Sequence, residues 1–333
     1  MPTSRGLHAF AVAVVFATVC LVVAGGLVTS TASGLSVPDW PTTYGQNPFT
    51  FPVSKWVGGI KFEHAHRLIA SGVGLLTVVL ALWLARREPR RWVRALGWSA
   101  VGAVVAQGVL GGLTVLFLLP TPISVAHACL AQTFFCLVVT IAVVTSPAFL
   151  ASQAQGGGPV GRAAAATVGL IFLQLLVGAT MRHTQAGLAI PDFPLAFGRV
   201  VPPLTSFAVV IHFAHRVIAF AVAAAATVCV GRARRSGRAD LRRASLAMAG
   251  LVLIQIALGA LTVLSKKDVV LTTAHVATGA LLLGTALLFA IVSRRRSATP
   301  GVLAFHSIAN RNGARAGRAA GAPASPARSA AWK

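Results

Sequence analysis

GLSVPDWPTTYG at residues 34–45 returns as GLAIPDFPLAFG at 187–198, and that return decides the architecture. Working outward, EHAHR (63–67) matches HFAHR (212–216), QGVLGGLTVL (107–116) matches QIALGALTVL (255–264), and VAHA (125–128) falls against TAHV (273–276). An offset of about 150 residues held across the chain means two copies of one unit. Between these motifs lie apolar runs of about 20 residues, the length that crosses a ~30 Å hydrocarbon core. They fall near 9–28, 59–85, 95–119, 121–146, 163–181, 206–230, 244–264 and 269–292. The expected fold is all-α integral membrane, with eight transmembrane helices as two pseudo-symmetric four-helix bundles. One half is 1–146 and the other 163–292, joined by a Gly/Ala-rich cytoplasmic linker at 147–162 and followed by a tail at 293–333. Four spans per half is an even number, so the halves share one topology and the repeat is parallel.

Composition agrees. Apolar residues make up 56% of the chain and charged residues 11%, far from a soluble domain's usual quarter charged. The formal charge of +23 invites a nucleic-acid reading, but the basic residues sit in short clusters between apolar runs, leaving no soluble basic face. Nucleic acid is excluded as a partner. The tail is rich in Ala, Gly, Ser, Pro and Arg, reads as disordered, and rests on anionic lipid in this reading. Cys20, Cys129, Cys136 and Cys229 all lie within apolar runs, and no CxxC occurs, so they read as small packing residues. Arg5 before the first run resembles a signal peptide, yet a run of about 20 residues exceeds an h-region's 7–15. The run also has an internal counterpart at 163–181, so it is expected to remain as a span.

Positive charge sets the orientation. With the N-terminus in the cytoplasm, 21 Lys and Arg fall inside and five outside. The expected location is therefore the cell membrane, multi-pass, with both termini cytoplasmic.

His66, His127, His215 and His275 stand at repeat-matched positions in spans two, four, six and eight, each near the outer end of its helix. Polar groups at that depth are expensive and mark function. Two neutral imidazoles on facing helices can bind a heme iron from opposite sides. The bland alternative is a hydrogen bond between helices, but four histidines at matching depth favour ligands. A bare zinc or copper site calls for further carboxylate or thiolate ligands, and the second half offers none at this depth. Within-half pairing follows from the repeat.

Glu63 is the only carboxylate in the apolar region, three residues before His66 on the same helical face; its repeat partner is His212. It reads as an acid or base beside the ligand, against the simpler reading of an i,i+4 ion pair with Arg67. Arg67 and Arg216 persist in both copies and suit a heme propionate, since Arg pairs carboxylates bidentately. His64 points about 160° from His66 on a helix and reads as peripheral. The proline-stiffened GLxxPDxP loops are either rigid external lids or plain turns carrying Trp40 and Phe193. Gly108 and Gly112 form a GxxxG, a helix-packing signal.

GGLVTSTASGLSVPDWP followed by EHAHR resembles the heme A synthases of bacterial and mitochondrial membranes, and the resemblance runs over nearly all of 9–292. It implies oxidation of the C8 methyl of heme O to a formyl group by two successive hydroxylations, for cytochrome oxidase biogenesis. It implies that His66 and His127 hold the substrate heme O, with Glu63 as the essential glutamate. It further implies that His215 and His275 are axial ligands of a resident heme b. The partners implied are heme O, the heme O synthase, oxidase assembly factors and membrane lipid, with a homo-oligomer left open. Two departures stand out. The external loops 30–58 and 182–205 lack the cysteine pair of many relatives, and Thr29 stands where many carry a basic residue. The competing class is a bis-histidine diheme electron-transfer cytochrome, which has no need of Glu63. A heme carrier ranks below both, because rigid ligation at one depth suits alternating access poorly.

Overall fold

All eight apolar runs are helices, as hydrocarbon demands of backbone groups that find no water to bond. The computed structural model describes residues 5–154 and 156–297. Helix α1 spans Arg5–Ser30, α2 Ile60–Arg87, α3 Arg91–Leu116 and α4 Thr121–Val144. After the short α5 at Pro147–Leu150 come α6 at Gly158–His183, α7 at Phe207–Arg235, α8 at Ala239–Leu264 and α9 at Val269–Ser293. All except α5 are long and apolar enough to cross a membrane, so this is a multi-pass membrane protein. Several hydroxyls inside the spans are satisfied by their own helix. Thr18, Thr77, Thr140 and Thr167 each donate to the carbonyl four residues back at 2.7–2.9 Å.

Each half closes on itself. Helices α1, α2, α3 and α4 pack in sequence, with α4 returning to α1; α6, α7, α8 and α9 repeat the ring. The halves meet through α1 on α9, α4 on α6, and α4 on α9. Under the repeat α1 corresponds to α6 and α4 to α9, so the first two contacts are equivalent and the third lies on the pseudo-axis. There Gly284 of α9 faces the Phe135 ring, and a Cβ at that position would sit 2.9 Å from Phe135 Cε1. Each half has its own core, one around Phe134, Phe135 and Ile141, the other around Met248, Leu283 and Phe289.

Four expectations change. The linker is not bare: β1 (Ser152–Ala154) pairs antiparallel with β2 (Arg295–Ser297), and α6 already starts at Gly158. Residues 295–297, expected to open the disordered tail, are held there because the Arg295 guanidinium donates to Phe149 O and Ser152 O and stacks on the Phe149 ring. The rest of that tail, 298–333, lies outside the described residues. The GxxxG is not a helix seam: nothing lies within 4 Å of a Cβ at Gly108, while Gly112 receives the Trp40 ring from the 34–45 loop. Cys229 is buried in the second core, but Cys20 is exposed on the outer surface of α1, so the packing reading fails there.

Candidate functional site

The two PDxP loops fold as copies. Asp39 accepts the Tyr44 and Gly45 N–H groups at 2.8 Å and the Thr42 hydroxyl; Asp192 accepts the Phe197 and Gly198 N–H groups at 2.8 Å. Tyr44–Gly45 and Phe197–Gly198 all have positive φ, between 51° and 72°, the signature of a type I′ turn with glycine at its second corner. Hydrogen bonds from the Gly198 and Phe197 N–H groups hold the Asp192 carboxyl below the ordinary carboxylate value. Burial pushes Asp39 upward, but the Gly45, Thr42 and Tyr44 hydrogen bonds outweigh it and its carboxyl is also lowered.

Both loops are fastened to the helix below by the same two positions. Val37 N–H donates to Glu63 Oε2 at 2.8 Å, and its counterpart Ile190 N–H donates to His212 Nδ1 at 3.2 Å. Arg67 donates from Nη1 to Asp39 O and Thr42 O, and from Nη2 to Val37 O and to Glu63 Oε1 at 2.7 Å. Arg216 reaches Leu195 O, Ile190 O and Asp192 O. The i,i+4 ion pair is therefore present, and four of Arg67's five N–H donors are engaged. The forks that suit a propionate are occupied by loop carbonyls. His64 points away from His66, but it is not peripheral to the loop. Its ring is fully buried, 4.8 Å from Trp56 and 5.1 Å from Phe51, with Thr43 Oγ1 3.2 Å from Nδ1.

The four histidines share a setting that spacing within their own helices does not show. His66, His127 and His275 each lie six residues beyond the first residue of their helix, and His215 eight. Each ring lies against a glycine of the preceding helix. A Cβ at Gly25, Gly111, Gly178 or Gly259 would stand 2.9–3.2 Å from Cε1 of His66, His127, His215 or His275 respectively. Only glycine lets a ring approach so closely. The Nδ1 atoms of all four rings are buried without a hydrogen-bond partner. Buried polar atoms are normally satisfied, so four matched exceptions point to something that bonds imidazole. The His215 and His275 ring centroids are 6.4 Å apart. Two imidazoles on opposite sides of one metal, with bonds of about 2 Å, place their centroids at a similar separation. Among the described residues no three His, Cys, Asp or Glu side chains gather as a bare metal site needs. Two imidazoles suffice where a porphyrin supplies the remaining ligands, so the donor set fits heme.

Three further residues escaped the sequence reading. Gln107, Gln174 and Gln255 stand four residues before Gly111, Gly178 and Gly259, and their amide Nε2 atoms lie 3.2–3.4 Å from Nε2 of His127, His215 and His275. The available signal was QxxxG, one helical turn, in the helix before each histidine.

Residues 8–287 match the COX15-CtaA family of cytochrome oxidase assembly proteins. The chain is 31% identical to the heme A synthase of Caulobacter vibrioides, covering 85% of this chain and 94% of that one. It is 30% identical to the heme A synthase of Azorhizobium caulinodans, over 88% and 95%. The chain belongs to the heme A synthase family. The match to the heme A synthase of Halalkalibacterium halodurans, at 28% identity, covers 64% of this chain. Within this family member, Arg182 of α6, the repeat counterpart of Thr29, crosses the seam. It donates to Gly26 O and Ser30 Oγ of α1 at 3.1 and 2.9 Å.

Proposed function

We propose that this protein is a heme A synthase that oxidises the C8 methyl of heme O to a formyl group. The observation that carries the reading is the asymmetry between two otherwise matched sites: four glycine-backed histidines, with a carboxylate, Glu63, in one half only. His66 and His127 hold the substrate heme O, and His215 and His275 hold heme b. Converting a methyl group to a formyl group takes one oxygen from water and releases four electrons and four protons. Heme b, when bound, would supply a one-electron relay that passes those four electrons, one at a time, to an electron acceptor outside this chain.

The chain's own residues do the rest. Glu63 is 3% exposed and fixed by the Val37 N–H and Arg67, so an oriented anion stands one helical turn from the ligand His66. It accepts a proton from water or offsets positive charge that develops on the substrate. Arg67 and Arg216 clamp the outer loops over the helix starts. The proposed location is the cell membrane with both termini cytoplasmic and the heme sites toward the outer face, following the positive charge.

A second reading, a diheme electron-transfer cytochrome, is favoured by one observation. Glu63 and His212 do the same loop-anchoring work, so Glu63 has a structural use without chemistry. The test is to co-express the chain with a heme O synthase and identify the extracted hemes by chromatography with mass detection, wild type beside Glu63→Ala. Heme A in the wild type, with heme O or a hydroxylated intermediate in the variant, supports the synthase. Heme b alone in both leaves the cytochrome.

A further inference from the structure

With Arg67 and Arg216 tied to loop carbonyls, the carboxylates of a bound heme call for another cation. Lys55, Lys61, Arg199 and Lys266 are exposed, and Lys267 lies over Gly187 of the second outer loop. Arg182 is different. It is half-buried at the outer end of α6 and donates twice, both times from Nη2, to Gly26 O and Ser30 Oγ. Its other three N–H donors, on Nε and Nη1, have no acceptor among the described residues. Ser30 Oγ also accepts from Thr273 at 3.1 Å, so the serine's own proton is a further donor beside the guanidinium. No carboxylate compensates the charge: the ion pairs of the described residues are Glu63–Arg67, Glu88–Arg90 and Asp240–Arg238. Cations at membrane depth are expensive and pair with an anion, so donors clustered without one point to a carboxylate brought by a ligand.

The histidines fix where that ligand lies. Gly178, one turn earlier on the same face of α6, is the glycine against the His215 ring, so Arg182 stands about 6 Å further toward the outer end. Its partner Ser30 bonds Thr273, two residues before His275 on α9. Its other partner, Gly26, packs on the same stretch of α9, where a Cβ would be 3.3 Å from Thr273 Cγ2. The guanidinium is therefore tied to both helices that frame the C-terminal histidine pair, on the outer side of that pair. The N-terminal half has no equivalent: Thr29, the repeat counterpart, bonds only Gly25 O of its own helix.

We propose that Arg182 pairs with a propionate carboxylate of the heme held by His215 and His275, and thereby helps to make that heme the resident one. The proposal rests on the heme-binding reading above and adds to it the residue that recognises the heme's acid groups. A carboxylate accepts charge-assisted hydrogen bonds from a guanidinium, and the half-buried setting strengthens them. A cofactor that stays bound gains from this extra hold. A substrate that must leave after oxidation does not, and its half carries threonine at the matching position.

The test uses full-length protein emptied of heme by transfer to excess apomyoglobin, then titrated with ferric protoheme or with its dimethyl ester, which has no carboxylate. His66→Ala with His127→Ala confines binding to the C-terminal half, and His215→Ala with His275→Ala confines it to the N-terminal half. In the C-terminal half protoheme should bind about 10- to 100-fold more tightly than the ester, the effect of losing a hydrogen bond to a charged group. Arg182→Gln keeps an amide donor for Gly26 O and removes the charge; it should weaken protoheme by that factor and bind both hemes alike. A merely structural role would weaken both hemes equally and preserve the preference, which overturns the proposal. Arg182→Lys guards against a glutamine variant that fails to fold. It keeps the cation and loses the planar fork, so its preference should be smaller than that of the wild type, and an undiminished one overturns the proposal. A preference confined to the N-terminal half, or equal in both halves, also overturns it. Wild-type protein that takes up neither heme overturns the heme-binding reading itself, before any arginine is changed.

Discussion

At the scale of single residues, Glu63 does two jobs that a pair of substitutions can separate. Its carboxylate accepts the Val37 N–H and the Arg67 guanidinium, so Glu63→Ala removes both the charge and the loop anchor. Glu63→Gln keeps a carbonyl acceptor for Val37 and loses the charge together with the oxygen that accepts from Arg67. If the charge acts in chemistry, both variants should lower heme A formation by about 10²- to 10⁴-fold, the range for a displaced acid or base. If anchoring is the main role, Glu63→Gln should keep most activity while Glu63→Ala loses it. Extracted heme content, normalised to protein, measures either result. Arg67→Lys should loosen the 34–45 loop in both cases, because one ammonium has three donors where four bonds are now made. Limited proteolysis of that loop is the check.

At the scale of elements, helix α6 carries its own control. Gly178→Ala places a methyl 2.9 Å from His215 Cε1, whereas nothing lies within 4 Å of the same change at Gly169. Overpacking of this kind costs about 1–3 kcal/mol. Gly178→Ala should lower heme b content and Gly169→Ala should leave it at the wild-type level, both read from the reduced optical spectrum. The outer turns respond to pH. The Gly198 and Phe197 N–H groups hold the Asp192 carboxyl below its ordinary value. A lowered carboxylate stabilises the turn fully above its unfolded pKa, and the contribution disappears as pH falls through the depressed folded value. Protection of the Phe197 and Gly198 amides, taken relative to the free-peptide exchange rate at each pH, should therefore fall only at acid pH, below the ordinary carboxylate range. In Asp192→Asn that acid-dependent loss of protection should vanish.

For the whole molecule, orientation and the seam between halves are the testable properties. Val53 is 76% exposed in the first outer loop, and Arg86 lies at the other end of α2. A membrane-impermeant maleimide applied to intact spheroplasts should label Val53→Cys and leave Arg86→Cys until the membrane is opened; the reverse pattern inverts the proposed topology. The native cysteines all lie within the helices and give a low background. At the seam, Arg182→Ala removes two bonds to α1 and should lower the unfolding midpoint, while Thr29, bonded only to Gly25 O in its own helix, tolerates alanine.

Much of this protein is legible in one dimension because the bilayer forces it. Hydrocarbon admits only closed backbone bonding, so eight apolar runs had to be eight helices, and a repeat in PDxP, HR and AH motifs had to place matched histidines at one depth. Residue type and period along a single helix were enough for that. What depended on neighbouring helices was hidden. The glycine behind each ring, and the glutamine beside three of them, lie on a different helix from the histidine they face. Neither the engagement of Arg67 by loop carbonyls nor the place of Trp40 on Gly112 follows from local pattern. Those contacts were decided by tertiary packing, because a side chain's partner in a bundle is set by which helix faces it across the gap, and no periodicity within one helix encodes that.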